Sequence, residues 1–314
     1  MLLGLKRAGS RVALVVFGIG AALLVLEAAL QLSAMFVGGT FRDQSWATEK
    51  WRVLCLGDSN TYGVYVDRLQ AYPKVFEALW NAEPGNAPIE VLNLGYPGTN
   101  SSKLVKDMRR MLWAFRPDMV VVMIGRNDFW TLPETAADSP NVLDRLAAAL
   151  WRVSRAYRLL YMAWKAVEAP TLEVSPDSSE RFKWGHGTAR YGSYRFELGW
   201  RRAPEGGIPS SQLVGNLESN LMMLAKQARD FGAQILFLTY PADSAMYGVA
   251  NVIIRDAARK ASLPLVDLAA GFKAVCHDDK CPEILPDQHP SASGHERAAR
   301  ILVQQLMPSP GMPR

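Results

Sequence analysis

Apolar residues along this chain fall into three kinds of run, and each predicts a different element. The first is long: residues 12–26 are apolar throughout, and the run continues past Glu27 and Gln31 to Phe36 and Val37. That length crosses a bilayer. The second kind is short and rich in strand formers, at residues 53–56, 89–94, 119–124, 234–239 and 265–268. The third is spaced by three and four, the mark of a helix with one apolar face. It runs through Val75, Phe76 and Leu79, then Leu104, Met108, Met111 and Leu112, and recurs at residues 212–231 and 249–261 and through Ile301 and Leu306. Strand alternating with helix predicts a parallel sheet covered by helices on both faces, and the almost wholly apolar block 119–124 suits a strand buried on both sides.

One stretch breaks the alternation. Residues 131–211 separate the third and fourth strands, far more than a crossover needs. They open with a helical stripe, Leu143, Leu146, Leu150, Val153, Tyr157, Leu160, Trp164 and Val167, that steps without a break, with Arg145, Arg152, Arg155, Arg158 and Lys165 off it. The simplest expectation is one helix packed on the sheet domain with a solvated basic face. The alternatives are a lid over the site or a basic amphipathic helix on an anionic membrane surface. Residues 170–211 read as loop, rich in Gly, Ser, Arg and aromatics such as Trp184, Tyr191, Tyr194, Phe196 and Trp200; that composition suits sugar or acyl-chain binding and an irregular packed loop equally.

Composition narrows the classes. With 314 residues, 49% hydrophobic, the chain has material for one large domain or two small ones. A net charge of +5, without a basic run interleaved with aromatics, does not point to nucleic acid. At the amino terminus Lys6, Arg7 and Arg11 precede the apolar run and fewer positive charges follow it, so the positive-inside rule leaves residues 1–11 in the cytoplasm. We read residues 12–37 as a signal anchor and 38–50 as a polar linker, with residues 51–307 exported and 308–314 a tail. Glu27 within the span costs about 2–3 kcal/mol on insertion scales if ionised at mid-membrane, less near the outer end, and marks a possible helix–helix contact.

The candidate chemistry lies where strands end. Strand 53–56 stops at Gly57 and delivers Asp58-Ser59; the second closes in Asn93-Leu94-Gly95; the third ends in Gly125-Arg126-Asn127-Asp128. In a doubly wound sheet such loops converge on one crevice at the carboxyl ends of the strands. Near the chain's end stands Asp287-Gln288-His289-Pro290, where a histidine before proline sits in extended or turn backbone on a loop entering the last helix. His295, at the start of that helix, reads as a surface or packing residue, and His186 and His277 have no partner pattern. Taken alone, Ser59 is explained as the cap of a strand-to-helix turn. Cys55 is a buried thiol. Cys276 and Cys281 are open to three readings, two free thiols, a disulfide or half of a metal site; no second ligand pair follows at a plausible spacing, and export to an oxidising compartment favours the disulfide.

Together these blocks resemble the SGNH (GDSL-type) hydrolase superfamily: Gly57-Asp58-Ser59, Asn93-Leu94-Gly95, Gly125-Arg126-Asn127-Asp128 and Asp287-Gln288-His289-Pro290 match its four blocks in order. The resemblance implies a flavodoxin-like α/β/α sandwich on a five-stranded parallel sheet, and an acyl-enzyme esterase or acyltransferase that uses no metal or organic cofactor. Ser59 would be nucleophile and His289 general base. The N–H groups of Ser59 and Gly95 with the Asn127 amide would form the oxyanion hole, and Asp287 would orient His289. The family's aspartate usually stands three residues before the histidine; Pro286 occupies that place here, so Asp287 reaches through a tighter turn or a backbone carbonyl does its work. Asp58 and Asp128 are expected to bond local backbone. The anchor points to an envelope substrate, most simply an O-acetyl group of a glycan. A lipid or thioester acylhydrolase and a non-catalytic module of a polysaccharide export or modification complex are the rival readings.

Overall fold

The computed structural model describes residues 14–33, 50–129, 141–168, 171–173, 186–191, 194–199, 211–242, 245–276, 281–285 and 288–307. The chain divides into two compact units, Met1–Gln44 with Thr135–Lys165, and Ser45–Glu134 with Ala166–Arg314.

In chain order the elements are α1 (Leu14–Ser33), β1 (Trp51–Gly57), α2 (Ser59–Tyr62), α3 (Tyr72–Ala82), β2 (Ile89–Gly95), α4 (Ser101–Phe115) and β3 (Met119–Met123). A 3-10 turn (Arg126–Phe129) follows, then α5 (Val142–Val153), α6 (Arg155–Glu168), β4 (Thr171–Glu173), β5 (His186–Tyr191) and β6 (Tyr194–Gly199). The chain returns through α7 (Ser211–Phe231), β7 (Gln234–Leu238), α8 (Ala245–Lys260), β8 (Leu265–Val266), α9 (Leu268–Lys273) and α10 (Ala292–Leu306).

Five strands of the larger unit form a parallel sheet in the order β2-β1-β3-β7-β8. This is the flavodoxin-like order, and the handedness of its crossovers decides which face each helix covers. The step from β1 to β2 runs one way along the sheet and every later step runs the other. Right-handed crossovers therefore place α3 on one face and α4, α7 and α8 on the opposite one. The packing agrees: α3 lies against α10, while α4 packs on α7 and α7 on α8. Between the layers β3 is buried at all five positions, and Phe76, Trp80, Leu104, Met108, Leu221, Leu224 and Ile253 fill the two interfaces. Each such side chain, taken from water, contributes roughly 1.5–3 kcal/mol.

The insertion departs from the sequence reading in two ways. Residues 171–199 contain a second, three-stranded antiparallel sheet, in the order β4-β6-β5, where loop was expected. The single helix expected over 143–167 is two helices, broken at Ser154, whose backbone is extended (φ −105°, ψ 120°). The cause lies far away in sequence. Glu27 of α1 accepts from Ser154 Oγ at 2.8 Å, Arg155 N–H at 3.1 Å and Ala156 N–H at 2.8 Å. A carboxylate thus satisfies amides that the start of α6 leaves without helical partners. Leu143, Leu146, Val153 and Trp164 are more than half exposed, and α5 with most of α6 belongs to the unit of α1.

Phe76 is fully buried beside Trp80, with ring centroids 6.0 Å apart. Phe76→Ala is expected to cost about 3–5 kcal/mol, read as a fall in the urea midpoint without change of slope.

Candidate active site

Strand register sets the level of the site. Gly57 pairs with Gly95 of β2 and Met123 of β3, so the loops after these strands leave the sheet side by side. Asp58, not Ser59, caps α2: its Oδ1 accepts from Asn60 N–H at 2.9 Å, which leaves the Ser59 hydroxyl unspent on capping. That is the local backbone bond expected of Asp58. Its other oxygen, Oδ2, accepts from the Tyr240 hydroxyl at 2.6 Å, and that hydroxyl accepts from Arg126 N–H at 3.0 Å. One phenol therefore ties the serine loop to the loop bearing Asn127. Asp58 is wholly buried; burial raises its pKa, opposed by the bonds from Tyr240 and Asn60.

Tyr240 is in turn clamped. Asn251 on α8 accepts from Tyr240 N–H at 2.6 Å and donates to Tyr240 O at 3.2 Å and Ala242 O at 2.9 Å. Its ring packs against Tyr247 with centroids 4.7 Å apart, and the Arg126 guanidinium lies 5.2 Å from the Tyr247 ring.

His289 arrives from the opposite end of the chain. Its Nε2 lies 2.8 Å from Ser59 Oγ, across 230 residues. The loop that presents it is fixed by backbone bonds: Gln288 N–H to Leu285 O and Leu285 N–H to His289 O, both 2.8 Å, with an Ile284–Pro290 bridge. Gln288 turns the chain in left-handed backbone (φ 72°). Below it Ser291 caps α10 through Gly294 N–H, and Arg297 pairs with Glu283. Cys276 and Cys281 are joined in a disulfide ahead of this loop, and Cys55 is buried in β1. Asp287 and Pro286 lie outside the described residues, as does His277. Tyr65, in left-handed backbone (φ 72°) and 70% exposed, presents its ring to His289 edge-on with centroids 5.7 Å apart.

Asn127 donates from Nδ2 to Thr99 O at 3.0 Å. Gly95 is placed differently from expectation: its N–H donates to Asn93 Oδ1 at 2.9 Å, so that amide is committed within its own loop. What the position demands is close approach, since a Cβ there would stand 2.3 Å from Tyr62 N. Starting at the next residue, Tyr96 O accepts from Thr99 N–H at 3.1 Å, with Pro97 and then Gly98 (φ 77°) between them. That is a type II turn, which needs glycine at its third position, and the Gly98 amide takes no part in the turn's own bond. Gly98 was legible as Pro-Gly within N-L-G-Y-P-G; Tyr240 and Asn251 carried no sequence signal.

Asp128 was expected to bond local backbone; besides its own amide it reaches α4, accepting from Ser101 N–H at 3.0 Å and from Ser101 Oγ. Asn220 of α7 donates to the same hydroxyl at 2.7 Å. Burial pushes the Asp128 pKa up to about 6, against the pull of the two Ser101 bonds. His295 is buried, accepting from Tyr72 N–H at Nδ1 (3.2 Å), with its pKa lowered to about 4 by burial and then by His289. The position read as surface or packing is therefore packing. Chemically, the arrangement is a hydroxyl within hydrogen-bond distance of an imidazole, beside a side-chain amide. These are the parts of acyl transfer to serine.

A sequence model of the GDSL-like lipase/acylhydrolase family matches residues 55–297. No curated protein matches the chain. Among solved structures, Axe2, an acetylxylan esterase from Geobacillus stearothermophilus, is 18% identical with a TM-score of 0.51, over 84% of this chain and 97% of its own. TesA is 17% identical with a TM-score of 0.48, over 82% of this chain and 98% of its own.

A carboxyl whose folded pKa stands above its unfolded value of 3.8 stabilises the fold below that value, and this contribution is lost as pH rises through about 6. Asp128→Asn removes that dependence. The stability advantage of the native chain over the variant should shrink by on the order of 2–3 kcal/mol between about pH 4 and pH 7, measured by urea unfolding across that range.

Proposed function

The chain belongs to the GDSL-like lipase/acylhydrolase family, and we propose that within it this protein is a serine esterase anchored in the bacterial inner membrane that removes or transfers O-acetyl groups of an envelope glycan. The observation that carries the chemistry is the 2.8 Å contact between His289 Nε2 and Ser59 Oγ. With Nε2 as acceptor, the imidazole holds its hydrogen on Nδ1 and takes the serine proton as Oγ attacks the ester carbonyl. The proton then passes to the leaving alcohol, and water or a second alcohol resolves the acyl-enzyme.

Charge on the carbonyl oxygen needs donors in place. We assign them to the Ser59 N–H, the Asn127 side-chain amide and the Gly98 N–H. Gly98 replaces Gly95 in this set because the Gly95 amide is bound to Asn93, and because Asn127 is tied to the Gly98 turn through Thr99 O. Asp287 is assigned the carboxylate that orients His289, on sequence alone.

The substrate class rests on two supports. Exposed rings of Tyr65 and Tyr96 stand on the loops that follow Ser59 and Gly95, and such faces suit the C–H faces of a sugar. The helix α1, 20 residues with mean hydropathy 2.1, has the length and composition of a membrane span; with the basic flank before it, it would leave the catalytic unit outside the cytoplasm.

The test uses the purified chain on p-nitrophenyl acetate and on longer acyl esters. Ser59→Ala should abolish turnover, and Asn127→Ala should lower kcat by about a hundred- to a thousandfold with little change in KM. Asp287→Asn should slow the enzyme strongly; a near-normal rate hands its role to a backbone carbonyl. A preference for long chains would replace the acetyl reading with a lipid or thioester one, and absence of turnover would make the protein a binding module.

A further inference from the structure

The amphipathic helices of the insertion are joined to α1 by a polar contact. Glu27 gathers Ser154 Oγ, Arg155 N–H, Ala156 N–H and Gln31 Nε2, the last at 2.6 Å. Gln31 adds a bond to Val153 O at 3.1 Å and accepts from Arg155 Nε at 2.9 Å. Two polar residues one turn apart on α1 thus hold both sides of the break between α5 and α6. A segment built only to be cleaved off has no use for such contacts.

The junction stands in the carboxyl-terminal half of α1, the half that the basic flank before the helix would turn outward. Amphipathic helices lying in a membrane interface bury their apolar face about 5–10 Å into the headgroup and acyl boundary. Around this junction α5 and α6 expose Leu143, Leu146, Leu150, Val153, Leu160 and Trp164. Residues 142–168 also carry five basic side chains against two acidic ones, a balance that suits anionic headgroups.

We propose that α5 and α6 form a helix pair lying in the outer leaflet, held to the membrane-spanning α1 by Glu27 and Gln31, with lipid as the occupant of its exposed apolar stripe. This rests on the reading of α1 as a retained anchor. Its argument is continuity. The stripe belongs to the same compact unit as a helix that is itself apolar and exposed along its length, so one solvent of low polarity covers both.

The test reconstitutes the full chain in mixed phosphatidylcholine–phosphatidylglycerol vesicles with one engineered thiol at a time. Cys55 is buried and Cys276 is bonded to Cys281, so the new thiol is the accessible one. Leu146→Cys and Leu150→Cys carry an environment-sensitive fluorophore, and Leu24→Cys in α1 is the reference for the bilayer. Lipids with a nitroxide near the headgroup should quench the labels at 146 and 150 to within about twofold of the Leu24 label, and aqueous iodide should not reach them. Quenching of Leu24 by lipid with both of those labels open to iodide would overturn the membrane placement of the helix pair and leave the anchor standing. Failure of lipid to quench Leu24 would overturn both. Glu27→Leu makes α1 more apolar, so the Leu24 label should stay quenched while iodide access at 146 and 150 rises several-fold. Unchanged access would remove Glu27 from its holding role.

Discussion

A phenol hydroxyl at the end of a buried strand holds the catalytic edge of this sheet together. Tyr240 donates to Asp58 and accepts from the Arg126 amide, so the serine loop and the asparagine loop share one atom. A hydrogen bond to a carboxylate contributes about 1.5–3 kcal/mol, and stranding either buried partner costs the desolvation of that group besides. The arrangement explains why a carboxylate sits buried directly before Ser59. Asp58 takes the α2 amide on one oxygen and Tyr240 on the other, and the hydroxyl of Ser59 is left to face His289. Asn251 extends the constraint by gripping the backbone of Tyr240 from both sides.

The second level of order is register. Gly57, Gly95 and Met123 stand abreast, and this aligns three loops whose residues are far apart in sequence. Each loop then has a different fastening. The serine loop is held by Asp58, the glycine loop by Asn93 and the Tyr96–Thr99 turn, and the asparagine loop by Asp128 on Ser101. Rigid supports of this kind let donors face a developing charge without reorganising. The histidine loop is the exception in origin, entering from beyond β8, and its described ends are joined by the Leu285–His289 and Gln288–Leu285 bonds and the Ile284–Pro290 bridge.

Much of this was written in the pattern of the chain. Strand blocks that alternate with helical spacing predict the sheet, and a glycine at the end of each of the first three strands predicts where the polar residues gather. The misses share a physical cause, namely partners too distant to read. Nothing near Ser154 announces a break, because the carboxylate that satisfies the new helix end is 127 residues away. Gly95 carried the expected motif, yet its amide is engaged by Asn93, and only the backbone bonds of the turn direct attention to Gly98. The small second sheet is a different failure. Tyr194, Phe196 and Leu198 alternate after Gly192-Ser193, a period of two that glycines and arginines nearby obscured.

The distance in sequence between the proposed nucleophile and the proposed base has a consequence for biogenesis. Ser59 is made early, and His289 only after 230 further residues. At about 5–20 residues per second, that separation leaves the serine without its imidazole for roughly 10–50 s of synthesis. On the proposed reading, the order of the chain itself keeps the serine inert until the last loop has been made.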